Sequence, residues 1–243
     1  MTAGATPAIP APLREAAQDA LETALGRSHR QDEVRGRTGG PASNARLAAS
    51  TGLLLLALSL AELVTLISIN RLIEWHLALG AALIAPAAFK TAVTGWRLLG
   101  YYTAAGPSGP AYKKAGPPPL LLRLLGPLVV VSTALLLGTG LWVVYLGPEG
   151  SRRPQLPGGL FGVNVITFHQ GSFILWAVAT GLHVLGRFIP ALQLTVIRVA
   201  GAPVARGVAL RWLSLACATL ISIASVVLIL QHTGGWVSAM AGP

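Results

Sequence analysis

Two histidines in one apolar stretch are the residues best placed to do chemistry. His169 and His183 are separated by fourteen positions in the run Phe168-His169-Gln170-Gly171 to Gly181-Leu182-His183-Val184-Leu185-Gly186-Arg187. At about 100° per residue they fall within roughly 40° of each other around a helix, and at about 1.5 Å per residue they lie roughly 21 Å apart. One helix would then present an imidazole near each leaflet. That spacing suits two haems stacked across a bilayer, since haem iron takes axial imidazoles. Gly171 and Gly181 each stand two residues from a histidine, where a porphyrin would need to approach the backbone closely. Arg187, one turn beyond His183, suits a haem propionate. The ordinary alternatives are packing glycines, a hydrogen-bonded histidine and an interfacial arginine.

A second stretch offers partners. His76 opens an apolar run and is followed by Gly80, and fourteen residues later comes Lys90, with Gly95 and Arg97 beyond. The pattern His-x13-Lys repeats His-x13-His weakly. It puts His76 opposite His169 and Lys90 opposite His183. A neutral lysine can ligate iron, although a lysine at this depth can also reach for the interface or pair with Glu62. An ionisable residue inside a membrane span is a functional candidate by default, and Glu62 in the preceding stretch is one, as the partner of Lys90 or as a proton relay to quinone. His232 is a spare histidine at the far end of the last apolar run. His29 lies in a polar tail and is set aside.

These residues must be held by helices in lipid. Of 243 residues, 53% are hydrophobic and 11% charged, well under the quarter expected of a soluble domain. The net charge of +10 comes from basic residues at the ends of apolar runs, which points to anionic lipid headgroups rather than nucleic acid. A single cysteine, Cys217, excludes an intrachain disulfide and a Cys-ligated cluster. Five runs, near 47–69, 75–99, 121–146, 164–190 and 209–231, each reach the roughly 20 residues that span a bilayer. The fold class expected is an all-α membrane bundle of about five transmembrane helices. A flexible polar tail covers 1–46, with a short helix through Pro12–Leu25, and a short outer tail covers 232–243. With the N-terminus inside and the C-terminus outside, fourteen Lys and Arg fall on the cytoplasmic side and three outside, the usual positive-inside bias. Trp75, Trp96, Trp212 and Trp236 fall near span ends, at headgroup level. The first apolar run starts too late for a signal peptide.

His76-Leu77-Ala78-Leu79-Gly80, Phe89-Lys90-Thr91 to Trp96-Arg97, Tyr101-Tyr102, Ala111-Tyr112-Lys113-Lys114 to Pro118, Leu122 to Pro127 and the His169 to Gly186 run together resemble a group of actinobacterial polytopic membrane proteins. The resemblance spans roughly residues 50–190. More distantly, the group is similar to the b-type cytochromes that anchor hydrogenases and formate dehydrogenases. The resemblance implies a helical bundle that binds haem, without a settled activity; taken with the histidines, the expectation is a plasma-membrane protein that holds one or two haem b and passes electrons to quinone or a partner oxidoreductase. One departure is Arg187, where members of the group tend to carry histidine. No Ser-His-Asp set, phosphate-cradling loop or metalloprotease helix is legible, so any enzymatic role would be that of an electron-transfer subunit. The rival from another class is a haem-free transporter or scaffold subunit with a buried Glu62/Lys90 pair and a helix broken at Pro86 beside a substrate path. A third reading makes the tail a docking segment for a cytoplasmic partner.

Overall fold

The computed structural model describes residues 10–25, 41–103, 120–153, 162–195 and 208–241. Among them the chain is built of helices: α1 (Ala11–Ala24), α2 (Pro41–Thr65), α3 (Ile69–Thr103), α4 (Leu120–Arg152), α5 (Val165–Thr195), α6 (Val208–Leu230) and α7 (Gly234–Ala241). Four stretches are long and apolar enough to cross a membrane: Leu47–Trp96, Arg123–Arg152, Val165–Leu192 and Trp212–Leu230. The first of these is a helical hairpin. A 3-10 turn at Leu66–Ser68 and a non-helical Leu72 reverse the chain, and α2 packs along α3. Side-chain contacts fix the direction, because Lys90 meets Ala48 while His76 meets Glu62, so the two helices run antiparallel.

The packing follows the logic of a bundle in lipid. Leu, Ile and Val gain little by leaving hydrocarbon for one another, so helices associate through small residues that let backbones come close. Most of the buried residues are small, among them Ala49, Thr51, Ala81, Ala85, Ala87, Ser132, Thr139, Ser172, Ala179 and Ala218, with Ile73, Leu125, Val165 and Trp236 the large exceptions, while Leu54, Leu60, Leu185, Leu220 and Ile221 face outward. α4 packs extensively on α5, α2 on α3 and α3 on α6, with α2 also meeting α5. Trp75, Trp96 and Trp212 are exposed, and Cys217 is exposed on α6.

Three features differ from the sequence expectation. Residues 11–24 form a helix that packs on α4 and α5, with Ala20 buried, so this part of the tail is docked on the protein's own bundle. The chain after α6 folds into α7, which lies against α3 and α4. Trp236 is thereby 4% exposed, a packed residue rather than a member of the aromatic belt. Helix α4 runs to Arg152, but its course breaks at Gly147, whose φ of 69° is a left-handed value that glycine adopts without steric cost. Ser151 Oγ donates to Val143 O at 3.0 Å across that break.

Pro86 does not break α3. Proline has no amide hydrogen, so it leaves the carbonyl four residues back without its helical donor. That carbonyl is Ala82 O, and Ser222 Oγ of α6 donates to it at 2.9 Å. The hydroxyl replaces the missing amide and joins α3 to α6, as membrane helices with internal proline require. Ser222→Ala should destabilise the protein by about 1–3 kcal/mol, the penalty of an unmet buried acceptor. Pro86→Ala should recover much of that loss when combined with it. Thermal unfolding of the three variants in detergent checks both expectations.

Candidate functional site

The hairpin and α5 carry two polar layers, one at each end. The first lies beside the turn. Glu62 stands in the last turn of α2, because the helix ends at Thr65. It is therefore less deep than a span reaching residue 69 implies. A carboxyl there faces the unfavourable end of the helix dipole, and its Oε1 accepts from His76 Nδ1 at 2.9 Å. Thr65 Oγ1 is also 3.0 Å from His76 Nδ1, while its hydroxyl hydrogen is directed to Glu62 O. Gly80 lies opposite, where an added Cβ would sit 3.5 Å from Glu62 Oε1.

His169 has a matching arrangement on the other helix pair. Its Nδ1 is 3.0 Å from Thr139 Oγ1 of α4. The Thr139 hydroxyl has a single hydrogen, and the carbonyls of Leu135 and Leu136, at 2.8 and 3.0 Å, take it. With its hydrogen on either carbonyl, the oxygen has a lone pair for an Nδ1–H tautomer of His169. The same reasoning holds for His76, whose Nδ1 faces the acceptors Glu62 Oε1 and Thr65 Oγ1. His169 lies tight against α4, since a Cβ on Gly140 would fall 3.2 Å from its Cε1. His76 belongs to the α2–α3 hairpin and His169 to the α4–α5 pair, and the two pairs meet where α2 packs on α5.

The second layer is built differently. Lys90 Nζ donates to Ala48 O of α2 at 2.8 Å. Gly52 lies beside it, where a Cβ would come within 2.7 Å of Nζ and the lysine tip would have to shift. His183 Nδ1 is buried with no hydrogen-bond partner, as is Thr180 Oγ1 one turn earlier. Each such atom costs about 1–3 kcal/mol. The Lys90 ammonium is thus turned to a backbone carbonyl of α2.

Several sequence expectations change. The Glu62/Lys90 pair is not formed: Glu62 is paired with His76 and Lys90 sits on Ala48, fourteen residues and about 21 Å away along α2. A Cβ at Gly171 or Gly181 would meet nothing within 4 Å, so there is open space at both positions. Among the described residues, glycines that face side chains of another helix include Gly52, Gly80 and Gly140. His232 is exposed, with Nδ1 2.9 Å from Leu228 O of its own helix. Thr65 and Thr139, the groups that orient the imidazoles, escaped the sequence reading because a threonine in an apolar run resembles any other small residue. Among the described residues no group of three or more His, Cys, Asp and Glu is arranged to hold a metal ion; a bis-imidazole haem site needs only two such residues.

No family model matches the chain, and no curated protein or solved structure is significantly similar to it. The functional argument therefore rests on the site itself.

A double-mutant cycle tests the pairing. Glu62→Ala and His76→Ala should show a coupling energy of about 0.5–3 kcal/mol in unfolding experiments, whereas Glu62→Ala and Lys90→Ala should add within about 0.5 kcal/mol.

Proposed function

We propose that the chain is a b-type-cytochrome-like protein of the plasma membrane that carries electrons through haem b held by His76 and His169. It would cross the bilayer five times, with the N-terminus inside and the C-terminus outside. The hairpin of α2 and α3 contributes two of the five crossings, and the Lys and Arg distribution supports the orientation. The observation that carries the haem reading is the matched pair of imidazoles. Each has Nδ1 within hydrogen-bond distance of an oxygen, Glu62 and Thr65 for His76 and Thr139 for His169; with the proton on Nδ1, Nε2 would be the ligating atom. Metal-binding histidines are held in this way, with the second nitrogen donating to a carboxylate or another oxygen that fixes the ring.

The donor set fits a bis-imidazole haem. Haem b would supply one-electron chemistry; the chain's own residues fix the rings and shield them with apolar helices. Glu62 would make the His76 imidazole more electron-rich than the neutral Thr139 makes that of His169. Quinone or a partner oxidoreductase subunit would be the other end of the electron path. Lys90 and His183 lack the corresponding support, because the lysine is committed to Ala48 O and His183 Nδ1 has no acceptor. One haem per chain is the reading favoured, with Arg187 outside the ligand set. The haem-free alternative, a transporter or scaffold subunit, loses its Glu62/Lys90 pair and its broken helix at Pro86.

A reduced-minus-oxidised spectrum with a haemochrome assay, on protein purified after expression with haem supplied, tests the proposal. Stoichiometric haem b is expected. His76→Ala and His169→Ala should each abolish it, His183→Ala should retain it, and Thr139→Val should weaken retention by about 10–100-fold. Colourless wild-type protein would remove the cytochrome reading, and loss of haem in His183→Ala alone would move the site to the other layer.

A further inference from the structure

Helix α4 meets His169 at two successive residues, and the haem proposal uses only the first of them. Thr139 is buried, and its Oγ1 lies 3.0 Å from His169 Nδ1. Gly140 lies against the same ring: a Cβ there would stand 3.2 Å from Cε1, 3.7 Å from Nδ1 and 4.0 Å from Nε2. Carbon atoms in ordinary contact keep about 3.5–4.0 Å, so the imidazole occupies space that any other residue at this position would contest. Of the α4 glycines among the described residues, Gly140 alone faces a side chain of another helix. Gly126, Gly138 and Gly147 have nothing within 4 Å of an added Cβ, and Gly150 meets Leu146 of its own helix. At His76 the corresponding glycine, Gly80, faces the carboxylate instead, with Glu62 Oε1 3.5 Å from an added Cβ.

We propose that Gly140 is a positioning residue for His169: the missing side chain lets the ring reach Thr139 and sets the plane in which it lies. An imidazole is rigid, and Cε1 joins its two nitrogens. Pushing Cε1 aside therefore turns the whole ring, drawing Nδ1 away from Thr139 Oγ1 and re-aiming Nε2. This inference rests on the haem reading, in which Nε2 is the ligating atom and its direction decides how the iron is held. The angle between the two axial ring planes also governs the electronic state of low-spin ferric iron, so a turned ring has a spectroscopic consequence. A glycine that only lets α4 and α5 approach would, when replaced, change stability and leave the ring as it is.

The test uses the full chain, expressed with haem supplied, and reads haem retention and the low-spin ferric EPR signal. Gly140→Ala should weaken retention about tenfold and move the signal. Gly138→Ala, on the same helix with open space around it, should change neither. Thr139→Val combined with Gly140→Ala should weaken retention no more than Thr139→Val alone, because both act on one ring. An unmoved signal in Gly140→Ala, or an equal shift in Gly138→Ala, would overturn the proposal. Should Gly140→Ala fail to fold, adding Thr139→Val should rescue it by freeing the ring to move aside, and absence of rescue would count against the seat. A second reading needs no cofactor: NMR of isotope-labelled histidine nitrogens in haem-free protein, with His169 assigned by the loss of its signals in His169→Ala. Those signals should move in Gly140→Ala and in Thr139→Val but not in Gly138→Ala. Colourless wild-type protein whose His169 signals move in this way would remove the haem reading and leave Gly140 as the residue that seats the ring, so the two failures are distinguishable; unmoved signals would overturn the seat itself.

Discussion

A helix in hydrocarbon has no water to satisfy its backbone and gains little by hiding leucine. Its contacts must therefore come from close backbone approach and from the few polar atoms it carries. The bundle follows from this constraint at each level. Small residues occupy the interfaces and large ones face out. Where Pro86 deletes a backbone donor, a hydroxyl from the neighbouring helix takes its place. Thr51, Thr139, Ser172 and Thr195 return their hydroxyl hydrogens to carbonyls of their own helices, so few polar groups remain without a partner. Those that do remain, on Glu62, Thr180, His183 and Trp236, stand out against that background.

The same constraint separates the two polar layers. Beside the turn, the imidazoles of His76 and His169 are oriented by oxygen acceptors that are themselves engaged. A ring fixed in this way presents one nitrogen in one direction, which is what a rigid ligand requires. At the other end, the charges are anchored but the histidine is not, and the neutral groups lack partners. A spacing of fourteen residues places two histidines on one face of a helix; it does not make their surroundings equal.

Hydrophobic runs are legible without a structure because bilayer thickness sets their length. The spans near 121–146, 164–190 and 209–231 accordingly match α4, α5 and α6 to within a few residues, apart from the continuation of α4 past Gly147. What escaped depends on register between helices. Glu62 and Lys90 have opposite charges on adjacent spans, and sequence alone favours pairing them; the antiparallel register puts them at opposite ends of the hairpin. Whether Pro86 breaks or merely locally modifies α3 depends on Ser222, 136 positions away. Trp236 looked interfacial because its packing against α3 and α4 comes from α7, a helix of eight residues too short to show a period.

The hairpin of α2 and α3 is clasped at both ends by side chains of one helix reaching the other, Glu62 to His76 near the turn and Lys90 to Ala48 at the open end. Between the two residues on α3 lie four nearly whole helical turns, so both clasps close on the same side of that helix. Inserting or removing one residue between them would swing one clasp about 100° away from the other. The interval from 76 to 90 therefore works as a gauge, tolerant of exchanges among apolar side chains but intolerant of any change in length.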